Sequence, residues 1–274
     1  GVIQLNIVIG TIIASFLPVG AISHIYYADR LNQLPLAIFG IALGIVLLPS
    51  LSKAIKQSDQ ETTNNIQNRS IEFSLLISLP SAIGLFILAG PIIHILFERG
   101  AFVKEDTFYT AKVLSYFALG LPAYILIKVL VSCFFAREDT KTPLYISIVS
   151  VISNVVLSLL LIGTMREMGI AVATAISAWV NALLLYVFLS IRNHMKFDDL
   201  LVRNSIKILL CSSLFFVGIY LLNGLFFTNI SVNSVLLNST LLLLMIFLAI
   251  IIYFGLVFVL KVFSINQLRD YLKK

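Results

Sequence analysis

Residues 26–35 read YYADRLNQLP and lie between two apolar runs, IVIGTIIASFLPVGAISHI at 7–25 and LAIFGIALGIVLLPSL at 36–51. An adjacent aspartate and arginine, Asp29 and Arg30, are therefore set inside a stretch that otherwise reads as hydrocarbon-facing helix. On a helix, Tyr26, Arg30 and Gln33 fall at i, i+4 and i+7 and form one polar stripe, flanked by Asp29 and Asn32. An arginine at the centre of a membrane span costs about 2.5–3.5 kcal/mol on insertion scales, so it normally faces a cavity or a partner group. Its guanidinium would then suit a phosphate or carboxylate, which it binds bidentately. The other reading is an interfacial Asp29–Arg30 pair that snorkels at the end of the span, with Tyr26 and Tyr27 as an aromatic belt. Composition leaves both readings open.

The rest of the chain supports a membrane setting. Of 274 residues, 59% are hydrophobic and 12% are charged, and the mean hydropathy is +1.03. Soluble domains carry about 25% charged residues. Long apolar segments recur from end to end, which specifies an all-α integral membrane protein rather than a barrel of short alternating strands. We read eight spans, at roughly 2–19, 21–51, 71–97, 108–135, 143–163, 168–190, 205–227 and 235–262. The second exceeds one crossing and must tilt, bend or extend beyond the bilayer. Seven prolines lie in or beside spans, where neighbouring helices can satisfy the freed carbonyls.

The loops carry an orientation signal. Lys53, Lys56, Arg69, Arg137, Lys141, Arg192, Lys196, Arg203, Lys207, Lys261, Arg269, Lys273 and Lys274 all fall on one side if the spans alternate. Arg99, Lys104, Lys112 and Arg166 fall on the other, and the seven–eight connection NGLFFTNISVNSV has no charge. The positive-inside rule makes the first side cytoplasmic, so both ends of the chain are expected there. The net charge of +6 is thus a topology signal, and no basic run interleaved with aromatics suggests nucleic acid. The opening GVIQLNIVIG has no signal-peptide pattern; the chain begins abruptly at a span, as though a segment preceded it.

Other polar residues admit bland readings. Gly40 and Gly44 in GIALG allow close helix approach and read as packing. Lys128 reads as a tether or a snorkelling lysine, with a cavity-facing role as the alternative. Asn154, Ser158 and Thr174 could supply oxygens to a hard cation, or could be interhelical hydrogen bonds, the reading favoured without a carboxylate beside them. Cys133 and Cys211 read as packed thiols. His24, His94 and His194 form no ligand-spaced motif, so no metal is assigned and no cofactor is implied. Nucleotide-binding, nucleophile-elbow and zinc-protease signatures are absent, which removes support for a pump or hydrolase.

YYADRLNQLPLAIFGIALGIVLLPSLSKAI, LFERGAF at 96–102, FFAREDTKTPLYISI at 134–148 and GIAVATAISAWVNALLLY at 169–186 occur in one order. Together they closely resemble the MurJ (MviN) lipid II flippases, of the multidrug/oligosaccharidyl-lipid/polysaccharide exporter superfamily. Members have about fourteen spans, as two six-helix lobes plus a C-terminal helix pair. The resemblance implies that residues 1–195 are the C-terminal six-span lobe and 196–274 the helix pair with its cytoplasmic tail, and that an N-terminal lobe is missing. It implies flipping of lipid II, the lipid-linked peptidoglycan precursor, across the bacterial inner membrane by alternating access, without enzymatic chemistry. Arg30 matches the family's cavity arginine and Asp29 shares its Ala-Asp-Arg motif. Gln33 stands where some members have glutamate, so a charge role is not expected there. Some members bind sodium at positions that correspond to Gly10, Asn154, Ser158, Ile170 and Thr174. Gly10 and Ser158 would replace acidic ligands, so sodium is not assigned. The last two spans resemble the pair that forms a groove for the lipid tail. The rival expectations are export of another lipid-linked glycan or a drug, or a membrane remnant that transports nothing.

Overall fold

The computed structural model describes residues 2–227 and 235–262, with the side chains of 2–7, 41–45, 226, 227, 235 and 236 excepted. The described residues form eight helices: α1 (Val2–Ala14), α2 (Ala21–Lys56), α3 (Gln60–Phe97), α4 (Lys104–Phe135), α5 (Lys141–Met165), α6 (Glu167–Ile191), α7 (Asp199–Phe227) and α8 (Val235–Val259). Of these, α3 to α8 are long and apolar enough to cross a membrane. Their order is the one that hydropathy predicts. The tail with Arg269, Lys273 and Lys274, the centre of the seven–eight connection and the start at Gly1 lie outside the described residues, as does the detail around Gly44.

Several boundaries differ from the hydropathy reading, two of them instructively. Helix α3 begins at Gln60, well before its apolar run, because Asp59 caps it by accepting the Thr62 amide at 2.9 Å. Helix α1 ends at Ala14, and the chain turns through Pro18 and Gly20 before α2 begins. Gly20 has φ 100°, a conformation open to glycine, and it brings the chain directly against the His24 ring. Pro35 and Pro49 lie inside α2 without ending it.

Helix α4 is the centre of the bundle, packed between α2, α3 and α6. It meets α6 backbone to backbone at one point. A Cβ at Gly120 would sit 3.0 Å from the Ala175 Cα, so a glycine is what lets these two backbones meet. The small-residue stripe noted in α2 works differently. Gly40 faces the Lys128 stem at an ordinary contact distance, 3.7 Å for an added Cβ. It seats a side chain and not a neighbouring backbone.

Polar bonds tie the remaining helices on. The Trp179 indole of α6 donates to the Leu119 carbonyl of α4 at 3.0 Å, and the Ser150 hydroxyl of α5 donates to the Ser177 carbonyl of α6 at 2.8 Å. Helices α7 and α8 pack on α3, where Tyr253 donates to the Leu76 carbonyl at 2.7 Å. The apolar faces of α5, α7 and α8 that no helix covers, such as Ile152, Leu160, Leu210, Leu214, Phe247 and Ile251, are exposed. Such surface belongs in hydrocarbon.

Candidate functional site

The charges inside the apolar part of the bundle are the first candidates. Arg30 is exposed on α2, and its guanidinium lies 4.7 Å from the centre of the Tyr26 ring. Its Nη1 donates to the Gln33 Oε1 at 3.4 Å, and the Gln33 amide in turn donates to Asp29. The stripe expected from helical spacing is therefore a connected chain, Tyr26–Arg30–Gln33–Asp29. Asn32 lies on the buried side of the helix. Ile22, Tyr26, Arg30, Leu34 and Ile38 form one exposed line along α2. Lys128 of α4 is also exposed, with its stem over Gly40, which lies farther along α2.

Tyr27 is not part of that exposed line. Its ring packs between Phe97 and Phe102, with centroids 4.7 and 5.6 Å away. The motifs YYADR and LFERGAF thus meet, and one anchors the helix that presents Arg30. A small cavity beside them, about 380 Å³, is lined by Tyr27, Phe97, Arg99, Ala101 and Phe102.

The FFAREDTKTPLY stretch resolves into a corner at the basic end. Asp139 accepts from the Thr142 amide at 3.0 Å, the Thr142 hydroxyl at 2.7 Å and Arg192, just past the end of α6, at 2.6 Å. Burial alone would raise the Asp139 pKa, but these bonds outweigh it and hold it down to about 2. Arg137 bridges to the His194 carbonyl at 2.9 Å. These residues join α4, α5 and α6.

Asn154, Ser158 and Thr174 do come together. Ser158 and Thr174 both lie 3.4 Å from the Asn154 Oδ1, and Thr174 also donates to the Ile170 carbonyl at 2.7 Å. Asn154 and Ser158 are buried. All three offer neutral oxygens, and they are engaged with one another and with backbone.

Sequence reasoning missed the polar clusters at the two ends of the bundle. At the basic end Glu72 is buried between Arg69 and Asn204, and Arg69 also holds Asp198 at 2.7 Å. At the opposite end His24 lies between Asp106 and Glu167, at 3.0 and 3.2 Å. These partners are 82 and 143 residues from His24 in the chain, so no local spacing could reveal them. The available signal was a carboxylate and a histidine each beside an apolar run.

The helix order, the exposed lipid-facing surfaces and the charged stripe on α2 define a multi-span membrane protein of transporter fold. A model of the family described as lipid II flippase MurJ matches residues 1–241. A probable lipid II flippase MurJ from Rhizobium tropici is 42% identical over 275 aligned positions, which cover all of this chain and 51% of that protein. A solved structure of lipid II flippase MurJ in an inward closed conformation is 28% identical, with a TM-score of 0.80 over 95% of this chain and 51% of that one. A crystal structure of MATE in the bent conformation shares the fold at 16% identity, with a TM-score of 0.61 over 94% of this chain and 62% of that one. The chain belongs to the MurJ lipid II flippase family. It spans about half the length of the flippases it matches.

Proposed function

We propose that this chain is the C-terminal half of a lipid II flippase and works with an N-terminal lobe to pass the anionic headgroup across the bacterial inner membrane. Residues 1–195 act as the lobe and 196–274 as a helix pair beside which the polyprenyl tail stays in lipid. The observation that carries this reading is the family match over residues 1–241, most of the chain. The exposed line on α2 adds a physical reason. An arginine and a lysine left open on the apolar part of a lobe need water, an anion or another helix opposite them. A facing lobe would enclose Arg30 in a cationic cavity, and the guanidinium would hold pyrophosphate or carboxylate oxygens bidentately. Asp29 and Gln33 restrain the Arg30 side chain. The lobes then rock about the bound headgroup, and no covalent bond changes.

The basic loops support a cytoplasmic assignment for the ends of α2, α4 and α6. We assign Asn154, Ser158 and Thr174 to interhelical bonding, since a cation there would meet neutral oxygens alone and bind weakly.

Rescue of a bacterium depleted of its own lipid II flippase tests the reading. Growth is expected when the chain is supplied with a family N-terminal lobe in trans, and Arg30→Ala should abolish it at equal membrane abundance. Rescue by the chain alone would refute the two-lobe mechanism. No rescue in either arm, with the protein inserted, would favour another substrate or a remnant.

A further inference from the structure

At the end of the bundle opposite the basic loops, the first turns of α2, α4 and α6 converge on one imidazole. The His24 ring is 5% exposed. Its Nε2 lies 3.0 Å from Asp106 Oδ1 of α4, and its Nδ1 lies 3.2 Å from Glu167 Oε1 of α6. Glu167 is fully buried, while the Asp106 side chain is 28% exposed. The second Asp106 oxygen accepts the Val103 amide at 2.9 Å. The second Glu167 oxygen lies 3.4 Å from Arg166 Nε and accepts no hydrogen bond. Tyr109 of α4 stacks on the imidazole at 5.7 Å and also accepts from Arg166 at 3.1 Å. Arg166 itself sits at φ 53°, an uncommon conformation for a residue with a Cβ. Gly20 closes the near side of the ring. Asp106, Tyr109, Arg166 and Glu167 are thus the titratable or charged groups that face His24.

Counting protons shows what this arrangement requires. A neutral imidazole has one N–H and one bare nitrogen, and an ionised carboxylate only accepts. Two hydrogen bonds, one from each ring nitrogen to a carboxylate, therefore need one proton more than neutral His24 with two carboxylates supplies. Without it, one nitrogen lone pair faces a carboxylate in a buried site, which is repulsive. The two carboxylates lie off opposite ring nitrogens, so their oxygens diverge around the ring. The described residues contain no group of His, Cys, Asp and Glu placed to hold a metal ion. The ligand that fits is a proton.

We propose that His24, Asp106 and Glu167 form a proton-binding clasp that ties the ends of α2, α4 and α6 together. In the closed clasp the imidazolium donates to both carboxylates, each of which lies in the first turn of its helix, where the positive end favours it. Opening releases one proton to water on the exposed Asp106 side and leaves neutral His24 bonded to one carboxylate. The clasp works independently of which substrate is carried.

The test is the melting temperature of the purified chain in lipid nanodiscs across the histidine range, about pH 5 to 8. With the extra proton both ring nitrogens are paired, and without it one lone pair faces a buried carboxylate, so the clasp's contribution is full at the acidic end and falls as pH rises. A fall of roughly 2–4 °C is expected. In Glu167→Gln or Asp106→Asn the new amide donates to the bare nitrogen without any added proton, so this part of the fall should vanish. His94 and His194 remain in every variant, so whatever they contribute cancels in the comparison. If Glu167→Gln fails to fold, Asp106→Asn at the partly exposed position decides. An unchanged pH slope in the folded variants, or a flat profile in the unsubstituted chain, would overturn the proposal.

Discussion

Arg30 and Asp139 show how differently two charged residues in equally recognisable motifs are used. Arg30 is exposed and touches Tyr26 and Gln33 on its own helix. Asp139 is locked by three hydrogen bonds, two from Thr142 of α5 and one from Arg192 just past α6. The Asp-Thr-Lys-Thr-Pro stretch is therefore a corner of the scaffold. Asp139→Ala should lower stability by about 0.5–2 kcal/mol, the usual cost of removing a carboxylate that satisfies a first-turn amide, measured by thermal unfolding in detergent. Because the folded pKa is held below the ordinary value, its contribution is complete above about pH 4 and is lost as pH falls toward about 2. Asp139→Ala should flatten that acid limb. A limb of unchanged steepness would assign the acid sensitivity to another group.

At the scale of elements, the helices follow their apolar runs, and their contacts do not. Hydropathy places the runs within a few residues, since the bilayer imposes both length and intramolecular hydrogen bonding. It misses the start of α3, because an Asp59 cap before a polar stretch extends the helix beyond the apolar segment. It also misses which glycines let two helices approach. Gly40 lies in the more obvious small-residue pattern, yet Gly120 and Gly169 are the positions whose Cβ would meet a neighbouring backbone, at Ala175 and Leu161 respectively. Gly120→Val should force α4 and α6 apart at a cost of about 1–3 kcal/mol, the range for overpacking a tight contact. Gly40→Ala, which meets only the Lys128 stem and Leu36, should cost less. Melting midpoints of the two variants in one detergent give the comparison, and equal losses would contradict the contact geometry.

Across the whole molecule, α7 and α8 are joined to the rest mainly through α3. Besides the Tyr253–Leu76 bond, the polar part of that joint includes the buried Glu72, held by Arg69 and Asn204, with Asp198 on the outer side of Arg69. Removing Arg69 leaves a carboxylate that is 1% exposed without its cation, a change of about 3–5 kcal/mol for buried pairs. Arg69→Met should therefore raise hydrogen exchange in the first turns of α7 while α4 and α6 stay protected. Uniform loss of protection would mean that this joint is not a separable unit.

Span order, membrane class and family resemblance were all legible from residue order, because hydrophobic length and local motifs are properties of contiguous segments. The arginine of YYADRLNQLP was legible too, since a charge in an apolar run is costly wherever the run folds. Its setting came from tertiary packing, which turned Tyr27 inward against Phe97 and Phe102 and left Arg30 exposed. The His24 clasp and the Glu72 joint were beyond the reach of residue order. Each is assembled from helices distant in the chain, and a hydrogen bond depends on a distance of about 3 Å in space, not on separation in sequence.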